Sequence, residues 1–141
     1  MKTLIMFFMF VGVAEGNIDR VFRREERLHN LPANLLKAVC FVESNHNLKL
    51  KAVMDGHSHS WGLCQVKLAA AKQVGFKHSE RLLAQHDINI RIAARYLRYQ
   101  LNRYRNDVKK GLTAYNRGSI VETTNLNNSY VRKVMLTWEK M

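Results

Sequence analysis

Ala38-Val39-Cys40-Phe41-Val42-Glu43-Ser44-Asn45 is the stretch on which the reading of this chain turns. Helical spacing puts Leu36, Val39 and Cys40 on one face, and Glu43 continues that stripe. A carboxylate on the apolar face of a helix needs an account. Out of water an ionised Glu forfeits much solvation unless a partner compensates, so it tends to hold its proton. Its place near the helix C-terminus, where the dipole is negative, acts in the same direction. A glutamate protonated near neutral pH is suited to general-acid work. A Glu turned to solvent at a frayed helix end is the plainer alternative, and this stretch alone does not choose between them.

The chain before and around it sets the frame. A length of 141 residues suits one domain with a real core. The formal net charge of +12 implies a polyanionic partner, whether nucleic acid, anionic membrane or acidic wall polymer. Lys2 followed by an apolar run and then Gly12-Val13-Ala14 describes a secretory signal over residues 1–16, with a weak membrane anchor as the alternative. Export shifts the meaning of the charge from nucleic acid to wall or lipid. Cys40 and Cys64 fit either one disulfide in an oxidising compartment or two buried free thiols.

Periodicity predicts a mainly α domain over residues 17–141, with one small β-hairpin. Asn17 reads as the N-cap of a first helix reaching about His29. Its apolar stripe is Ile18, Val21, Phe22 and Leu28, with Arg20, Arg23, Arg24, Glu25, Glu26 and Arg27 on the other faces. Pro32 reads as the first residue of the helix that carries Glu43. Residues 51–54 and 60–63 read as hairpin arms around Asp55-Gly56. Helical spacing resumes at Val66 and stops at Gly75. It resumes again after His86-Asp87 to about Arg103, then over residues 108–115, and last around Tyr130, Val131, Val134 and Trp138.

Four segments stand out together: Val42-Glu43-Ser44-Asn45, Gly62-Leu63-Cys64-Gln65-Val66, Asp87-Ile88-Asn89 with Tyr96-Leu97, and Ala114-Tyr115-Asn116-Arg117-Gly118. In this order and spacing they resemble the soluble lytic transglycosylase catalytic domain, which has a goose-lysozyme-like fold. The resemblance spans residues 31–134. It implies a lysozyme-like α+β domain that cuts the β-1,4 bond between N-acetylmuramic acid and N-acetylglucosamine in peptidoglycan and closes a 1,6-anhydro ring. Glu43 falls on the single catalytic acid/base and Ser44 on the serine that orients it or meets substrate. Gln65 falls on a glycan contact. Tyr115 and Asn116 fall on the pair that closes the site. Asn89, Tyr96 and Leu97 fall on supporting positions. Cys64 replaces a Met that contacts sugar, Leu68 and Ala70 stand where a Pro-x-Thr is usual, and Ala93 replaces a Gly. Trp61 and Tyr115 are candidates to stack on sugar faces, with core packing as the alternative for each. No cofactor or metal is implied. A monomer in the periplasm or on the wall side of the inner membrane, delivered by export or by a secretion, conjugation or phage-lysis apparatus, completes the expectation.

Four other readings compete. A hydrolytic muramidase needs a second carboxylate, and Asp55 is the candidate, although Asp-Gly reads first as a turn. His46, His57 and His59, with Asp55, would be the ligands of a zinc site, yet their spacing matches no strong template. Arg91, Arg95, Arg98, Arg103, Arg105, Lys109 and Lys110 form a positive surface suited to nucleic acid, but no base-reading motif accompanies it. A non-catalytic wall-binding module is the fourth.

Overall fold

A central helix organises the domain. The computed structural model describes residues 15–141, and α4 (His86–Arg103) buries Asn89, Ile90, Ile92, Ala93, Ala94, Tyr96, Leu97, Gln100 and Leu101. A helix buried on this many sides must be surrounded. Helices α1 (Glu15–Leu28), α3 (Leu68–Gln73) and α5 (Val108–Arg117) pack on α4, while α2 (Leu35–Ser44) lies mainly against α6 (Ser129–Glu139). The close approach of α4 and α5 explains Gly111, which otherwise weakens a helix by about 1 kcal/mol. A Cβ there would meet Leu101 Cδ2 at 2.5 Å. The architecture is the expected mainly helical domain with a small sheet. Among the described residues no helix is long and apolar enough to cross a membrane. The expected signal falls almost wholly outside the described residues.

α1 departs from its expected pattern. It already runs from Glu15, so Asn17 lies inside the helix rather than capping it. Ile18, Val21 and Phe22 are buried, but Leu28 is 69 % exposed, while Glu25 and Glu26 are 1 % and 3 % exposed. Positions three and four beyond Phe22 follow the buried face, and Leu28 has rotated off it. The buried acids are compensated. Arg24 pairs with Glu25 at 3.0 Å, and His29 and Arg91 approach it at 3.4 and 3.6 Å. Glu26 Oε2 accepts the Leu36 N–H at 3.1 Å.

That last contact repairs the start of α2. The helix begins at Leu35, three residues after Pro32, and the Leu35 N–H turns back to Pro32 O. Asn34 sits in the left-handed region at φ 66 and its side chain caps nothing. The carboxylate of Glu26, from the neighbouring helix, takes over the capping. Burial raises the Glu26 pKa, against backbone N–H groups of α2 that lower it.

The sheet is tighter than expected and has one more strand. β1 (Ala52–Asp55) and β2 (Ser58–Trp61) pair antiparallel with Asp55 opposite Ser58, so the turn is the two residues Gly56-His57. Gly56 takes φ +66, as such a turn requires. The short turn pulls the second arm two residues earlier than residues 60–63. β3 (Val66–Lys67) pairs with Ser60 and Trp61, so Val66 is a strand residue and α3 starts only at Leu68. A 3₁₀ turn (Glu80–Ala84) leads into α4.

Candidate active site

The site is assembled where the end of α2 meets the β2–β3 turn, α5 and α6. Glu43 lies in the last turn of α2 and is half-buried. The helix stops because Asn45 turns left-handed at φ 55, with its N–H on Phe41 O at 2.7 Å. From the first turn of α6, the Tyr130 hydroxyl donates to Glu43 Oε1 at 2.9 Å. α6 is held at this start by Asn128, whose Oδ1 accepts the Val131 N–H at 3.0 Å. Burial, then the Glu43 charge, raises the Tyr130 pKa well above the ordinary phenol value. Tyr130 therefore stays protonated and remains a donor.

The Gln65 turn is locked from three directions. Gly62 stands at φ +68, and a Cβ there would come within 2.7 Å of the Asn89 amide. Asn89, fully buried in α4, gives Nδ2 to Trp61 O and Leu83 O and accepts the Cys64 N–H on Oδ1 at 2.8 Å. The Tyr115 hydroxyl donates to Cys64 O at 3.0 Å. Cys64 is joined to Cys40, with Cα atoms 4.2 Å apart. Of the two states left open for these cysteines, the structure has the disulfide. It ties the turn to α2 three residues before Glu43. Gln65 itself holds a left-handed φ of 50, uncommon for a residue with a side chain, and its Nε2 donates to Gly62 O.

Glu43 is a wall common to two cavities. One, of about 280 Å³, is lined by Gln65, Lys67, Tyr96, Tyr115, Asn116 and Arg117, among others. The other, of about 570 Å³, is lined by Phe41, Ser44, Leu50, Lys133 and Thr137 beside it. Glu43, Gln65, Tyr115 and Asn116 are thus brought together. Tyr115 is 8 % exposed, lies 5.4 Å from the Tyr96 ring and is raised in pKa by burial, then by the Glu43 charge. Its place is more in the core than on a sugar face.

Two expected contacts are not made. Cys64 is fully buried and its sulfur is bonded to Cys40, so its side chain cannot meet a sugar as a Met would. Trp61 lines neither cavity. Its indole N–H is held by Glu80 Oε1 at 2.9 Å and its ring lies against His59, which draws it away from the cleft. Ser44 gives its hydroxyl to Cys40 O and borders the second cavity rather than the first. The three histidines of the zinc reading are separated. His46 packs on Phe22 and Phe41 with Nε2 bonded to Lys37 O, and burial lowers its pKa, whereas His57 and His59 are exposed on the hairpin. Among the described residues no group of three His, Cys, Asp or Glu side chains is placed to hold a metal. Asp55 ends β1 at the hairpin turn. Tyr130, which bonds Glu43, is read by periodicity only as helix face. Its one clue is a phenol on a stripe otherwise made of Val131, Val134 and Trp138.

A family model described as "Transglycosylase SLT domain" matches residues 20–134. No curated protein sequence matches the chain. Among solved structures, it is similar to the X-ray structure of an inactive mutant of lytic transglycosylase Slt from Pseudomonas aeruginosa. The identity is 21% and the TM-score 0.63, and the match covers 85% of this chain and 21% of that one. At that identity the likeness speaks for the fold, and this chain spans about a fifth of that relative's length.

Proposed function

Because the chain belongs to the transglycosylase SLT domain family, we propose that it is a lytic transglycosylase of peptidoglycan, with Glu43 as its single acid/base. The observation that carries this reading is the position of Glu43: the wall shared by two cavities, with the Tyr130 hydroxyl on one carboxylate oxygen. A glycan strand lying along both cavities would present one glycosidic bond to that carboxyl.

The chemistry runs in two steps. The protonated Glu43 gives its proton to the glycosidic oxygen as the bond from C1 of N-acetylmuramic acid breaks. The 2-acetamido oxygen of that sugar closes on C1 and takes the place of a second carboxylate, as in other substrate-assisted glycosidases. Glu43, now ionised, removes the proton of the 6-hydroxyl as O6 attacks C1 and expels the acetamido oxygen. A 1,6-anhydro ring forms, no water is consumed, and Glu43 ends protonated. The intramolecular attack gains the effective concentration of a positioned nucleophile. Tyr130 holds the carboxylate through both steps. Gln65, on a turn fixed by Asn89 and the disulfide, and Asn116, near the end of α5, offer amides to the sugar.

The disulfide supports a working place outside a reducing cytoplasm, in line with residues 1–16 as a secretory signal or anchor. Mass spectrometry of fragments released from purified peptidoglycan tests the assignment. Anhydro ends are expected from the wild type and none from Glu43→Gln. Reducing ends would replace the transglycosylase with a hydrolytic muramidase.

A further inference from the structure

The walls of the cleft are unevenly charged. Among the described residues lining the two cavities beside Glu43, Glu43 itself is the only carboxylate. Lys67 and Arg117 lie on one side of it and Lys133 on the other. Lys133 stands one helical turn beyond Tyr130, so α6 presents first the hydroxyl that holds Glu43 and then a cation.

Elsewhere some basic side chains are engaged by the protein. Arg24 and Arg91 sit on Glu25, and Lys37 on Asp19. Arg98 bonds Asn30 O and Asn106, Arg103 bonds Gly118 O, and Arg132 bonds Asn127 O. Arg117 and Lys133 have no side-chain hydrogen bond or ion pair among the described residues. Two unengaged cations on opposite sides of a cleft raise its positive potential, which a concave wall focuses. Neutral sugars give such cations little to bind. Carboxylates attached to the sugars do.

We propose that Arg117 and Lys133 are specificity residues that bind carboxylate substituents of the glycan on the two sides of the cleaved bond. The inference rests on the cleft being a glycan groove. It adds that the strand is selected by its charged substituents: the lactyl carboxylates of the muramic sugars, or those of the peptides attached there. Arg117 offers a planar fork matched to a carboxylate, and Lys133 a point charge on a flexible stem.

The test uses the full chain and two preparations of one glycan. In the first the carboxylates are free. In the second they are converted to neutral methylamides. The wild type is expected to have a KM about tenfold lower on the charged strands, and added salt should shrink that preference. Lys133→Gln and Arg117→Gln should each raise KM on charged strands about three- to fivefold, with kcat within about twofold, as for an exposed charge pair. The double variant should lose the preference, whereas Lys133→Arg, which keeps the charge, should retain it. A wild type that is active but treats both strands alike overturns this inference and leaves the glycan reading standing. So do variants whose KM rises equally on both. A folded wild type inert on both strands overturns the glycan reading, and this inference with it.

Discussion

Helix α2 has a glutamate at each end, and the two are held in opposite ways. At its start, Glu26 reaches across from α1, is 3 % exposed and accepts the Leu36 N–H. At its finish, Glu43 is half-buried, opens on two cavities and takes a hydrogen bond from Tyr130. The first carboxylate meets the positive end of the helix dipole and the second stands against the negative end. One residue type thus serves as a mortar joint and, on the proposed reading, as a reagent. What separates the roles is the partner: backbone donors that stay put, or a side-chain hydroxyl beside open space.

The sharpest break in that comparison is Glu43→Gln. Loss of a general acid/base lowers turnover by about a thousandfold, while the melting temperature should stay close to that of the wild type. Measured turnover near the wild-type level would remove Glu43 from the chemistry. Next is Glu26→Ala, which strips the start of α2 of its acceptor and should destabilise the fold by about 2 kcal/mol in denaturant melts. Turnover per folded molecule should change far less than stability does. An unchanged melt would show that solvent can cap α2 unaided. Third is Tyr130→Phe. It keeps the ring but loses the bond to Glu43, and kcat should fall about tenfold with little change in KM.

The smallest effect is in pH. The raised pKa of Glu26 means that its contribution to stability is present below the ordinary carboxylate range and is lost as pH rises through the folded-state value. Glu26→Gln keeps an acceptor and has no such loss. Thermal melts should therefore show the variant gaining on the wild type from acid towards neutral pH. His46 works in the other direction. Its lowered pKa gives stability above the ordinary imidazole range that is lost as pH falls through the folded value.

Much of this was legible in the residues. The stripe Leu36, Val39, Cys40 and Glu43 marks α2 and its odd carboxylate, and Asp55-Gly56 marks the hairpin. α4 ends at Arg103, as its period requires. The illegible parts depend on distant partners. Glu25 is tolerable inside because the distant Arg91 joins the local Arg24 and His29 around it, and Glu26 because the first N–H groups of α2 lie beside it. Local periodicity assigns both to the surface. β3 has two residues, too few for any alternation, and exists through its pairing with Ser60 and Trp61. Trp61 looks like a sugar platform until Glu80, nineteen residues on, claims its N–H. Two cysteines in a sequence say nothing of whether their sulfurs meet.

That meeting has a consequence of its own. Besides the backbone that runs between them, the Gln65 turn and the Glu43 helix are joined covalently by the Cys40–Cys64 bond. In a thiol-rich interior such a bond does not persist, and the two pieces are then kept in register by Asn89, Tyr115 and packing alone. The ribosome supplies every residue of the blade and the hand that must grip it, but the rivet between them is set by the surroundings. On the proposed reading, the enzyme is complete only where thiols are oxidised.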